Sequence, residues 1–417
     1  MRGVLTMPLF GTLLQNDKRL RISIMLIAGI ALLLFTQLRA PLVFGSPSSG
    51  ETANLKIMSY NIWLGGDQIT LDKTAQVIQA AGADLIGIQE GGANIPALAQ
   101  KLGFYYDIGQ AILSRYPIIK SGNPDYVYIE VKPGKVVAFS NVHLLAYPYG
   151  PYDIRDGISL ETVLNNEQNI HMQEMKSRFE NLPDLAHHGI AVFLTGDFNV
   201  PSHLDWIDAT KSSHFGITVN WPVSTKLEQL QFRDSYREIH SNPVTHPAYT
   251  WTSEIRYPYP NEVHDRIDFV YAAGPSVTTN SQVVGENGPY SDIVVTPWPS
   301  DHRAMLSTFT AQLAPIPEIP VSTTTVATDK ADYVQGESIA VSYTNAYGPK
   351  DWVGIYPTGT EVNPDIPSIQ WQYIGDADGG TLTFDSSTLA PGTYDAVLLY
   401  NDGYQELKRT TFQVTAP

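Results

Sequence analysis

The chain of 417 residues contains no cysteine. Disulfide scaffolds, zinc–thiolate sites and cysteine nucleophiles are therefore excluded. Basic residues are scarce as well, with 26 Lys and Arg against 42 Asp and Glu, a formal net charge of -16. Such a chain is poorly suited to gripping duplex DNA through a general basic surface, so any phosphate it handles must be handled locally. It has no internal repeat and no long low-complexity tract. The uncharged apolar run Ile22 to Phe35 falls short of the roughly 20 residues that a membrane span requires. Preceded by Lys18, Arg19 and Arg21, it reads as an export signal, either cleaved or kept as an N-terminal anchor. What the chain does have is core-forming material: 43% hydrophobic residues, 23 tyrosines and 7 tryptophans, enough for a globular protein of more than one domain.

Punctuation by turn residues divides it. Residues 1–45 form the export or anchor segment, expected to place the rest outside the cytoplasm, secreted or membrane-anchored. Residues 46–54 (SPSSGETAN) read as a linker. From Leu55 to 313, apolar strand-like runs alternate with helical spacing. LKIMSYNIW opens as a strand, Leu71, Ala75, Val77, Ile78 and Ala81 follow at helical spacing, and DLIGIQ resumes as a buried strand. The pattern predicts a layered α/β body. The aromatics of the GFYYD run are read as core. Alternating prolines mark 314–322 (APIPEIPVS) as a semi-rigid connector. In 323–417, Ile339, Val341 and Tyr343, and later Tyr394, Ala396, Leu398 and Tyr400, alternate with polar partners between GG and PG turns, predicting a small all-β sandwich.

Within 55–313, polar residues stand at the ends of strongly apolar runs: Asn61 after MSY, Glu90 after DLIGIQ, His143 after AFSNV, and Asp197 with Asn199 after IAVFLTG. Asp265-Arg266-Ile267-Asp268 leads into another apolar run, and Ser300-Asp301-His302 sits before a further one. Singly, each has an ordinary structural explanation: a turn former, a helix-start charge, a satisfied core histidine, an Asx-turn. Together they are harder to dismiss, because sheet geometry gathers strand ends at one edge.

In order, these motifs resemble the endonuclease/exonuclease/phosphatase superfamily, which includes secreted deoxyribonucleases, abasic-site endonucleases, bacterial sphingomyelinases and inositol-polyphosphate phosphatases. The resemblance is carried by Ser59-Tyr60-Asn61, Ile88-Gln89-Glu90, Ile112 to Pro117 (ILSRYP), Asn141-Val142-His143-Leu144, Gly196-Asp197-Phe198-Asn199, Arg266-Ile267-Asp268 and Ser300-Asp301-His302. It implies a four-layered α/β sandwich of the deoxyribonuclease I-like kind, followed here by the small all-β sandwich, which itself looks like the immunoglobulin-type SKICH module. It also implies a divalent cation, Mg2+ with Mn2+ or Ca2+ as alternatives, anchored by Glu90 with Asn61 and reached by Asp301. Asp197 would orient or deprotonate water, Asn199 would fix the phosphate or that water, and His302 would meet phosphoryl charge. Asp268 would hold an imidazole in its working tautomer, and His143 would protonate the leaving oxygen. Arg115 is read as a structural ion-pair partner.

The expected partner is a phosphoester: a small phosphodiester, a nucleic acid or a lipid headgroup, with membrane association through the N-terminus. The reading is thus an exported metal-dependent phosphoric ester hydrolase. Its rivals are a sphingomyelinase-like lipid phosphodiesterase and an inactive surface binding protein, the latter opposed by the intact motifs. The tyrosine-rich stretch Tyr147 to Asp156 is either a lip over the site or a packed surface loop, and Tyr257 to Pro260 is a second aromatic loop that would share such a rim.

Overall fold

The computed structural model describes residues 50–253, 261–318, 323–347, 350–375 and 379–417. The expected export segment and the Tyr257 to Pro260 loop lie outside the described residues. Among those described, no helix is long and apolar enough to cross a membrane.

Strand alternation builds the first body. In Thr52–Asn61, Leu55 and Ile57 point into one core while Met58, Tyr60 and Ile62 just beyond point into another. In Val192–Asp197, Phe193 joins the same inner core as Leu55, whereas Val192 and Leu194 face the opposite side. Two sheets therefore share an inner apolar layer, and each covers its outer face with helices, giving four layers. The first sheet runs Ile293–Val294, Ser276–Gly285, Ala304–Gln312, Thr52–Asn61, Leu85–Gln89, Ile112–Ser114, Tyr105–Asp107. The second runs Ile118–Lys120, Val127–Lys132, Lys135–His143, Val192–Asp197, Asp268–Ala273, Arg233–Asp234.

The predicted helix forms at Leu71–Ala81. The Thr70 side chain accepts from Lys73 N at its start, Gly82 closes it in the left-handed region, and Ala75, Val77, Ile78 and Ala81 are buried. The first strand begins at Thr52, pairing with Gln312, so it takes in the end of the expected 46–54 linker. Ala314–Pro315 likewise pairs with Lys135 and Val136 at the start of the proline-rich connector. Tyr105 and Tyr106 are not core: they lie on the outermost strand of their sheet, 52% and 46% exposed. Edge position leaves them no neighbouring strand to pack under. Arg115 does pair with Asp84, at 2.9 Å, and covers the Phe104 ring.

Gly87 sits where the two sheets meet. A Cβ there would lie 2.0 Å from Thr195 Oγ1 and 2.2 Å from Asn141 Oδ1 of the opposite sheet. The C-terminal region is a β-sandwich. Thr325–Thr328, Ser338–Thr344 and Gly379–Asp385 form one sheet; Asp332–Val334, Glu406–Thr415, Gly392–Leu399, Trp352–Pro357 and Gln370–Tyr373 form the other. Ile339, Val341 and Tyr343 pack against Ile355, Leu398 and Phe412 between them. Residues from Glu51 to Pro417 make one compact unit.

Candidate active site

Register decides which side chains meet. His143 is paired with Asp197 across parallel strands, and Asp197 with Asp268 across antiparallel ones, so three functional side chains stand abreast on one face of the second sheet. From the facing sheet, Asn61 ends the first strand and donates its Nδ2 to Asp197 Oδ2 at 3.0 Å and to Glu90 Oε1 at 3.1 Å. Asn61 thus bridges the two sheets. It was expected among the metal ligands, but here its Oδ1 accepts from Trp63 N and its amide nitrogen faces the carboxylates. Glu90 lies one residue past its strand with φ 60°, a left-handed conformation of a kind that costs of order 1–3 kcal/mol and must be held by its surroundings. The hold is visible: Leu64 N donates to Glu90 Oε2 at 2.7 Å.

Asp197 is the hub. His143 Nε2 lies 3.6 Å and His302 Nε2 3.7 Å from its Oδ2, while Asn199 N donates to Oδ1 at 3.0 Å. Asn199, also left-handed at φ 50°, uses its Nδ2 to donate to Leu144 O and so ties down the backbone next to His143. His302 is positioned through Ser300, whose Oγ accepts from His302 N and donates to Asn61 O. Its Nδ1 meets Asp268 Oδ2 at 2.9 Å. Burial alone would push this imidazole down, but Asp268 and Asp197 outweigh it and hold the pKa at about 10. Burial also raises the Asp268 carboxyl, to about 6 against the pull of His302. The two carboxylates thus favour the charged form of the imidazole, and Asp268 holds the ring in place.

Asp197, Asp268 and His302 bring potential ligand atoms within 4.8 Å of one another. A second oxygen-rich group lies beside it, on the Glu90 side of the cleft. There Asp301 Oδ1 is buried with no hydrogen-bond partner among the described residues, and its carboxyl is raised by burial and, in part, by Glu90. A carboxylate raised by burial and by its neighbour Glu90, with one oxygen unused, fits a hard divalent cation with oxygen ligands. All eight residues singled out from sequence are thus brought to one edge: Asn61, Glu90, His143, Asp197, Asn199, Asp268, Asp301 and His302.

Six of them, Glu90, His143, Asp197, Asn199, Asp301 and His302, floor a cleft of about 410 Å³. Its walls add residues beyond those eight. Trp251 packs its ring 4.9 Å from that of His302, and Tyr149 and Tyr152 come from the helix Gly150–Arg155 and the residue before it. The Tyr147 to Asp156 stretch is therefore a lip, with Tyr147 66% exposed at the mouth. Glu174, and Lys350 and Asp402 from the β-sandwich, complete the outer wall. No periodicity or motif marks these positions; only the fold brings them together.

Residues 58–302 match the model of the Endonuclease/Exonuclease/phosphatase family. An uncharacterized protein of Caenorhabditis elegans is 29% identical over 306 residues, covering 64% of this chain and 94% of that protein. Among solved structures, an endonuclease/exonuclease/phosphatase from Beutenbergia cavernae is 15% identical at a TM-score of 0.41, with 86% of this chain and 99% of that one covered. D. rerio TDP2, solved with a single-strand DNA product, is 17% identical at a TM-score of 0.40, with 62% and 99% covered.

Proposed function

Since the chain belongs to the endonuclease/exonuclease/phosphatase family, whose members are metal-dependent hydrolases of phosphoesters, we propose that it is an exported phosphoric ester hydrolase that uses Mg2+. The observation that carries this reading is the placing of one buried carboxylate, Asp197, between two imidazoles, with an oxygen-ligand pair beside it.

Glu90 and Asp301 would hold the cation, which supplies neutralisation and polarisation of the phosphoryl oxygens. Asp197 accepts the proton of the attacking water as its oxygen bonds to phosphorus. The His302 imidazolium, fixed by Asp268, donates to a phosphoryl oxygen where negative charge grows. His143, the most exposed of the set at 39% of its side chain, faces the cleft and gives a proton to the departing oxygen as the phosphorus–oxygen bond breaks. Asn199 fixes Leu144 and orients the Asp197 carboxylate through its backbone N–H. Export rests on the basic and apolar N-terminal segment.

A lipid phosphodiester is a second reading, favoured by Leu64, Leu145 and Tyr147, which are exposed at the mouth of a polar cleft. The test is hydrolysis by the full-length protein of plasmid DNA, bis(p-nitrophenyl) phosphate and sphingomyelin vesicles, each with Mg2+ or EDTA. Turnover dependent on Mg2+ and absent in Asp197→Ala and His302→Ala supports the hydrolase, and the preferred substrate chooses its branch. Turnover unchanged in both variants would refute the assignment.

A further inference from the structure

The β-sandwich is attached to the catalytic body by buried polar contacts rather than by the connector alone. Tyr400, 6% exposed, donates its hydroxyl to Asp125 Oδ1 at 2.5 Å, and Asp125 is fully buried. Ser177 and Asn181 donate to the same carboxylate, at 2.9 and 2.6 Å. Beside it, Arg178 donates to the Tyr400 hydroxyl at 3.5 Å and, through Nη2, to Asn141 O at 3.1 Å, two residues before His143. Gly109 presses on Gln405 so closely that a Cβ would meet it at 2.1 Å. A buried, hydrogen-bonded carboxylate of this kind favours one docking geometry, because any other would lose the Tyr400 bond to Asp125.

From that docked position Lys350 reaches the catalytic body. Its Nζ donates to Glu174 Oε1 at 2.6 Å, and Glu174 Oε2 accepts from Leu145 N at 3.0 Å. The carbonyl of the same Leu145 is met by His171 Nε2 at 2.7 Å, and His171 Nδ1 meets Glu167 at 2.6 Å. Both polar groups of the Leu145 backbone are therefore clamped, one of them through the sandwich. Leu144 to Tyr147 is the segment that leaves His143 and forms the wall of the cleft.

We propose that the β-sandwich is a working part of the active site, with Lys350 a positioning residue that acts through Glu174 on the Leu144 to Tyr147 wall and so tightens the hold on substrate. The proposal rests on the hydrolase reading for its kinetic consequence but not for its structural one. In the full-length protein, Lys350→Met should raise KM for bis(p-nitrophenyl) phosphate about tenfold with kcat within about twofold, and Lys350→Arg should restore most of the loss. Amide exchange of the peptide spanning Leu144 to Tyr149 should speed up about tenfold in Lys350→Met while the strand Val192–Asp197 is unchanged. Should Lys350→Met fail to fold, Glu174→Gln keeps an acceptor for Leu145 N but loses the charge that draws Lys350, and should show the same effects at smaller size. Wild-type values of both KM and exchange in these variants would overturn the proposal. If the wild-type protein hydrolyses none of the substrates, the exchange result decides alone: faster exchange upholds the clamp while the hydrolase reading falls, and unchanged exchange sinks the clamp.

Discussion

Two buried charge clusters lie side by side in this protein, and one short motif feeds both. Arg266 joins Asp205 and Asp234, while Asp268, two residues on, joins Asp197 and His302. In the first cluster Arg266 donates to Asp234 through two nitrogens at 2.8 and 2.7 Å and to Asp205 at 3.0 Å, and Arg237 adds a 2.6 Å bond to Asp205. Every carboxylate oxygen there is met. Against the burial that would raise it, Arg266 holds the Asp234 carboxyl below its usual range. In the second cluster the carboxylates outnumber the cation. Asp268 Oδ1 and Asp301 Oδ1 are buried without partners among the described residues, and the carboxyls of both are raised. Residue types alone do not distinguish the two clusters. What does is whether the charges close on one another or leave oxygens unpaired, one of them, on Asp301, in the wall of an open cleft.

Substitutions should therefore separate along this line. The largest effect is expected from Asp197→Asn, which should cut kcat by about 10³-fold or more, removing the proton acceptor while leaving the unfolding midpoint near wild type. A large loss of stability instead would move Asp197 into the structural class. Next comes Asp234→Ala, which strands part of the Arg266 guanidinium and should cost about 3–5 kcal/mol in chemical unfolding, with kcat per folded molecule retained. Mg2+ at about one hundred times its dissociation constant should stabilise the wild type by about 2.7 kcal/mol, and Glu90→Gln should lose most of that gain. Equal stabilisation of both would place the cation elsewhere.

A further test is a pH trend measured in EDTA. His302 is held at about 10, above the roughly 6.5 of a free imidazole. Its contribution is complete below about pH 6.5 and is lost as pH rises through about 10, because the folded state keeps a proton that the unfolded state has released. Asp268, raised to about 6, changes charge below that window. Stability should fall between about pH 7 and about pH 10 in the wild type and fall less in Asp268→Asn. An identical slope in the two proteins would remove the pair as its source.

The part of the site that was readable in the sequence is the part that sheet geometry assembles. Asn61, Glu90, His143 and Asp197 each end an apolar run, and parallel or register-matched strands carry such ends to one edge whatever the loops do. The layered α/β body followed from the same alternation, and the family resemblance implied its four layers. Within the Asp265 to Asp268 run only the family resemblance picked out Asp268, since no local pattern shows that Arg266 faces Asp205 and Asp234 while Asp268 faces His302. Trp251, Glu174, Lys350 and Asp402 were invisible for a related reason: they reach the cleft from loops and from a second domain, at separations no local pattern encodes. Tyr105 and Tyr106 were misread because hydrophobic character marks a strand without marking its place in the sheet.

Gly87 has one more bearing on the site. The Asn61 to Asp197 bridge spans two sheets at 3.0 Å, and two residues along the strand from Gln89, the partner of Asn61, Gly87 stands against Thr195 and Asn141 of the opposite sheet with no side chain of its own. Alanine there would act as a shim one methyl thick, forcing the sheets apart by the margin over which a hydrogen bond is made or lost. The width of the cleft floor is thus gauged from within the core, by a dimension that nothing bound in the cleft would touch.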